Sequence, residues 1–173
     1  MPEDYRLTLS MHGLIFRTPE ALALAAQQVR GTLTAIVQDL EREVKIRARQ
    51  RPDGRDGRFM GHLEGSIAGE VRGQGLELTG VVNSPMPYAP VVELGRRPGK
   101  FPPLGPIQLW VRRKLNVPES RVRGVAFLIA RKIAAQGFPG RFMFRDAMAN
   151  RRVAYEQYWE QMKQRLAERL GAE

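Results

Sequence analysis

The sequence predicts an α+β fold: a long N-terminal helix packed on a small antiparallel sheet, with additional short helices and a long C-terminal helix. Three observations carry this. Leu22, Ala26, Val29, Leu33, Ile36, Leu40 and Val44 recur at alternating steps of four and three, the spacing of one helix face. Two runs flank Gly73-Gln74-Gly75 in the manner of a hairpin. After Pro139, a charged stretch carrying Ala147, Val153, Tyr158, Met162 and Leu166 extends to Gly171, long enough for a terminal helix. At 173 residues and 43% hydrophobic content the chain suits one domain, residues 1–173, with an ordinary core.

The elements follow in order. Residues 1–17 form a strand or arm, because Tyr5, Leu7 and Leu9 alternate with polar residues until Gly13. Thr18 is an N-cap residue, followed by Pro19 at the first helical position and Glu20 in the first turn. The helix spans 19–50, on the order of 45 Å at 1.5 Å per residue, with Gln28, Arg30, Gln38, Glu41 and Lys45 on the solvated side. That is longer than a small core requires, so part of its apolar stripe is expected to pack on a neighbouring subunit. Residues 51–61 carry charge and turn residues without apolar anchors and are expected to be a mobile loop.

The hairpin lies within 64–83, with strands at 66–72 and 76–83. Ile67 and Val71 share one face with Leu76, Leu78 and Val82 opposite. Pro85 and Pro87 end it. Tyr88 to Leu94 makes a short apolar turn or helix that stops at Gly95, and residues 96–106 form a Pro/Gly loop tucked down by Phe101 and Leu104. Residues 106–171 are the helical part. A short helix to Leu115 buries Ile107, Trp110 and Val111 and ends on Arg112, Arg113 and Lys114, where the helix dipole favours cations. Pro118 opens a second, with Val122, Val125, Ala126, Ile129 and Ile133 in a stripe and Gly137 at its end. The last helix starts near Phe144 and runs to Leu170.

The formal net charge of +10 is unevenly placed. From Leu94 to Arg152 there are 14 Lys and Arg against 2 Asp and Glu, whereas the segments before and after are close to neutral. Such a block favours an anionic partner, nucleic acid or an acidic protein surface. Arg112, Arg113, Lys114, Arg121 and Arg123 are the candidates for facing DNA or that acidic partner. Trp110, Phe101, Phe138 and Phe142 within the block could add stacking platforms, which keeps non-specific nucleic-acid binding through 94–152 open as an alternative function. No zinc-finger, helix-turn-helix or RNA-recognition pattern is present, so sequence-specific readout is not expected.

The chemistry of catalysis is sparse. There is no cysteine, hence no disulfide framework or thiolate zinc site. His12 and His62 stand alone among glycines, without metal-ligand spacing. Gly69, Gly73, Gly75 and Gly80 lack the phosphate-binding patterns and read as hairpin glycines. Glu64, Glu70 and Glu77 sit on or beside strands, where carboxylates usually face solvent. The expectation is a non-enzyme with no catalytic residue, metal or cofactor. The N-terminus lacks secretory-signal character, and the best apolar run, Val125 to Ile129, is soon closed by Arg131 and Lys132. Synthesis as a soluble cytoplasmic product is expected.

Two segments remain. Tyr88-Ala89-Pro90-Val91-Val92-Glu93-Leu94-Gly95 is answered by Gly137-Phe138-Pro139-Gly140-Arg141-Phe142, with Ala147 beyond. In the order long helix, hairpin, Tyr-x-x-x-x-Glu-x-Gly, Pro-rich loop and Pro-x-x-Phe before a terminal helix, the chain resembles the tail-completion and head-tail joining (neck) proteins of long-tailed bacteriophages, including minor tail protein Z-like proteins. The resemblance covers roughly Pro19 to the last helix and departs from the family before Thr18 and in the charged last helix. It implies a structural virion protein at the head-tail junction or proximal tail, forming a homo-oligomeric, sixfold ring. Its partners would be other neck and tail proteins, namely a tail-tube or terminator protein and a head-completion protein. Tyr88, Glu93, Arg96, Arg97, Phe101 and Phe142 are the candidates for the subunit or partner interface. Glu93, followed by Arg96 and Arg97, is expected either to pair with an arginine or to be a solvated carboxylate at a helix end.

Overall fold

The computed structural model of the protein describes residues 18–49 and 62–171. The arm expected over 1–17 and the loop expected over 51–61 lie outside the described residues. Along the chain come α1 (Pro19–Arg49), α2 (His62–Ser66), β1 (Ala68–Gln74), β2 (Glu77–Asn83), α3 (Ala89–Leu94), β3 (Gly95–Arg96), α4 (Leu104–Lys114), α5 (Glu119–Gln136), β4 (Phe138–Pro139) and α6 (Met143–Gly171). The α+β class with a long helix at each end stands as expected. The elements gather in two compact units: the first takes the described residues up to Arg47, Ile67–Ser84 and Phe144 onward, and the second takes Ala48–Ser66 and Pro85–Met143.

In the first unit α1 begins as the sequence predicts, with the Ala21 N–H donating to Thr18 Oγ1 at 3.1 Å, which satisfies one of the orphan donors of a helix start. Its buried line runs through Ala25, Val29, Ile36, Val37, Leu40 and Val44. The expected stripe is right from Val29 onward and wrong at its beginning, where Leu22 is 46% exposed and Ala25 fully buried. The reason lies on the partner helix: Ala25 and Val29 cluster with Trp159, Met162 and Leu166 of α6, and large side chains across the contact leave room for a methyl group and not for a leucine. Leu76 and Leu78 of the hairpin pack on the same cluster. This part of the stripe is therefore intrachain core, and it needs no neighbouring subunit.

The α6 face is corrected in the same way. Ala147, Met162 and Leu166 are buried as expected, but Val153 is 64% and Tyr158 45% exposed, while Tyr155 and Trp159 turn inward. A polar contact selects that face. The Tyr155 hydroxyl donates to Asp39 Oδ2 at 3.0 Å, and Arg151 reaches Asp39 at 3.0 Å and Glu43 at 3.2 Å. Burial, reinforced by the Asp39 carboxylate, pushes the phenol of Tyr155 well above its ordinary range.

The hairpin pairs Ala68 with Asn83 through to Gln74 with Glu77, so its loop is Gly75-Leu76 and not Gly73-Gln74-Gly75. Gly75 has φ +56°, and a glycine with positive φ at the first position of a two-residue loop matches the strand twist. Gly69 and Gly80 serve packing. A Cβ at Gly69 would stand 2.6 Å from Val37 Cγ1, and one at Gly80 2.5 Å from Val37 Cγ2; the valine of α1 sits in the groove those missing side chains leave. Glu41, expected in solvent, is half-buried and accepts the Gly69 N–H at 2.8 Å while pairing with Lys45 at 2.5 Å. The Lys45 ammonium and the Gly69 N–H outweigh desolvation and hold the Glu41 carboxyl below the usual carboxylate range.

Two outcomes follow in denaturation experiments. Gly80→Ala forces Val37 aside and costs about 1–3 kcal/mol, whereas Gly31→Ala, at an exposed helix position where a Cβ meets nothing, stabilises by about 0.5–1 kcal/mol. Chemical denaturation of both variants checks the sign of each. Because the folded pKa of Glu41 is depressed, its stabilisation is present above the unfolded carboxylate value and is lost as pH falls through the folded one. The melting-temperature gap between the wild type and Glu41→Gln is thus widest near neutrality and narrows in acid. A gap that stays constant from pH 7 to pH 3 counts against this.

Candidate functional site

The second unit brings together the two segments singled out from sequence. Ala89 to Leu94 becomes α3, with Tyr88 at its N-cap, and it stops at Gly95 with φ +79°. Gly95 and Arg96 then pair antiparallel with Pro139 and Phe138. The clasp continues beyond this ladder. The Arg141 N–H donates to the Val92 carbonyl at 2.9 Å and the Phe142 N–H to the Glu93 carbonyl at 3.0 Å, satisfying carbonyls that a helix end leaves orphaned. Arg141 also reaches the Ala48 carbonyl at 3.0 Å through its guanidinium.

Glycine permits this approach. A Cβ on Gly95 would lie 2.4 Å from the Gly140 nitrogen, one on Gly140 2.4 Å from the Glu93 carbonyl oxygen, and one on Gly137 2.0 Å from the Arg96 carbonyl oxygen. Gly95 and Gly137 also hold positive φ. Gly140 was not singled out from sequence, although its position between Pro139 and Arg141 in the second motif was the available signal.

The expected interface residues take different places. Glu93 is 7% exposed, which overturns the expectation of a solvated carboxylate: its helix end is covered by residues 140–142. Tyr88 is half-buried and its hydroxyl is enclosed, and burial pushes the phenol up. Arg96 is half-buried and donates to the Lys100 carbonyl, whereas Arg97 is exposed. Phe142 is half-buried with φ +48°, an uncommon conformation for a non-glycine residue, at the point where the chain turns from the clasp into α6. Phe101 does not tuck its loop down. It is 45% exposed while Pro102 takes the inward place, and its ring lies against Phe127 with centroids 5.4 Å apart.

The basic block rests on the α4–α5 pair. Val111, Val122 and Ala126 form its core with Ile107, Trp110, Val125 and Ile129 around them, so Trp110 is a packing residue as its stripe predicts. Arg112 is exposed but engaged, its guanidinium donating to Glu119 at 2.6–3.1 Å. Arg113, Lys114, Arg121 and Arg123 are exposed. So are Phe127 and Leu128, at 47% and 54%; the stripe from Val122 to Ile133 leaves them on the far side of α5, which the sequence reading passed over.

The three carboxylates Glu64, Glu70 and Glu77 have separate environments. Glu64 pairs with Arg49 at 2.5 Å, Glu70 with Arg72, and Glu77 is exposed. Among the described residues no group of three or more His, Asp or Glu is placed to hold a metal ion, and no helix is long and apolar enough to cross a membrane. The chain matches no protein-family model, no curated protein and no solved structure.

The strained residue gives a test of the clasp. Phe142→Ala loses side-chain contacts and keeps the strain, whereas Phe142→Gly loses the same contacts and relieves it. The glycine variant is expected to be more stable than the alanine variant by about 1 kcal/mol, reversing the order seen at ordinary positions. Urea unfolding of the two variants decides it.

Proposed function

We propose that the chain is a structural virion protein of a tailed bacteriophage: a ring-forming tail-completion or neck component that joins the tail to the DNA-filled head and works by assembly, not catalysis. The observation that carries this reading is the clasp. The Tyr88–Gly95 and Gly137–Phe142 segments, on which the resemblance to neck proteins rests, are far apart in sequence and converge on one backbone construction. Their residue choices serve a fixed chain path, as a scaffold requires.

In such a ring a head-to-tail contact closes by rotation, so one surface of each subunit complements a different surface of the next. Exposed Arg97 and Phe101 beside the clasp lie at the surface for that contact, as do Lys114, Arg121 and Arg123 of α4 and α5. The proposed partners are a tail-tube or terminator protein and a head-completion protein, and the proposed location is the head-tail junction after synthesis in the host cytoplasm. A second reading, non-specific nucleic-acid binding, draws on the exposure of Arg113, Lys114, Arg121 and Arg123; phosphate contacts of that kind carry no base preference.

Deletion of the gene from the source phage separates the two readings. The structural reading expects filled heads and free tails accumulating unjoined in lysates viewed by electron microscopy, with the protein supplied in trans restoring joined particles. Normal particles from the deletion, together with duplex-DNA binding by the purified protein that falls steeply with salt, would replace it with the second reading.

A further inference from the structure

On the far side of α5 from its core, Phe127 and Leu128 project at 47% and 54% exposure, and Phe101 extends the patch through its ring contact with Phe127. Residues three and four apart on a helix are neighbours. Phe127 therefore has Arg123 and Arg131 beside it, Leu128 has Gly124 and Lys132, and all four of those residues are exposed. Gly124 has no intrachain purpose: a Cβ there would meet nothing within 4 Å. An exposed mid-helix glycine still costs about 1 kcal/mol relative to alanine. A bare backbone one turn from two projecting apolar side chains suits a surface that something approaches closely.

The charge around the patch says what. Glu119 is the only acidic side chain between residues 94 and 145, and it is held by Arg112. A second copy docking face to face would set Arg123, Arg131 and Lys132 against themselves. Nucleic acid would use the cations but gains nothing from Leu128, the most exposed of the three apolar residues, or from a glycine groove. We propose that this face of α5 docks an acidic amphipathic helix of a partner protein, whose apolar side chains sit on Phe101, Phe127 and Leu128 over Gly124 and whose carboxylates meet Arg123, Arg131 and Lys132. The inference does not depend on the virion assignment.

The test uses the full chain and three fluorescent probes: a 20-residue Glu-rich helical peptide with leucines on one face, a permuted peptide of the same composition, and a 20-nucleotide oligothymidylate. Anisotropy is expected to show the amphipathic peptide binding at least about tenfold tighter than the permuted one. Phe127→Ser/Leu128→Ser, and separately Gly124→Leu, should each lose about tenfold or more while remaining folded, the serine variant giving up the Phe101 ring contact within the chain. Arg131→Glu/Lys132→Glu should weaken binding and flatten its salt dependence. Equal binding of the two peptides, no binding of the amphipathic one, or wild-type affinity in the folded serine variant overturns the proposal. So does oligonucleotide binding tighter than peptide binding and indifferent to the serine changes, and so does self-association in light scattering that the serine changes abolish.

Discussion

The second unit depends on main-chain atoms approaching one another more closely than any side chain allows. Where Gly95, Gly137 and Gly140 meet Glu93, Arg96 and their neighbours, an added Cβ would fall 2.0–2.4 Å from backbone atoms, and backbone cannot swing aside as a side-chain tip can. Much else follows from this approach. The helix α3 has only six residues, too few to be stable alone because nucleation is costly. It persists because Arg141 and Phe142 complete the hydrogen bonds of its last turn. The same contacts bury Glu93 and fix Phe142 in its left-handed conformation, which sets where α6 begins. Gly99 adds a related bond, its N–H donating to the Ala134 carbonyl at 2.8 Å near the end of α5.

The first unit solves its packing differently. Val37 fits between two strand glycines, a steric key that fixes where the hairpin lies along α1. The rotation of α6 is set by polarity. Its apolar residues are spread around a charged helix, so the hydrophobic effect alone, being non-directional, chooses poorly among faces. The Tyr155 and Arg151 contacts to Asp39 and Glu43 choose one. Ion pairs of this kind add little net stability after desolvation, yet breaking one side of such a cluster is costly. Their role here is therefore to exclude the alternative rotations.

What the sequence made legible was local chemistry. Thr18-Pro19 announced the start of α1, Gly95 and Gly137 announced helix ends, and Pro118 announced α5, because capping and breaking depend on a few adjacent residues. What it hid depended on the other side of a contact. Leu22 belonged to the stripe by spacing, and only the α6 residues clustered with Ala25 explain why Ala25 is inside. Tyr158 was the expected inward residue of α6, and only Asp39 across the contact shows why Tyr155 takes that place. Gly69 and Gly80 read only as hairpin glycines, although their register across the hairpin, each beside the other's partner valine, places both against one helix residue. The burial of Glu93 was hidden because the segment that covers it, residues 140–142, lies far along the chain.

The placement of charge bears most directly on function. The α4–α5 pair is held by an apolar core, with the Arg112–Glu119 pair clipping its turn. A surface that concentrates one sign of charge repels itself and lowers the stability of the compact state. Such a surface is best understood through a partner that neutralises it. Phosphate alone would account for the arginines, but it leaves Phe127 and Leu128 projecting and Gly124 bare beside them. A partner with both carboxylates and apolar side chains accounts for all three features together.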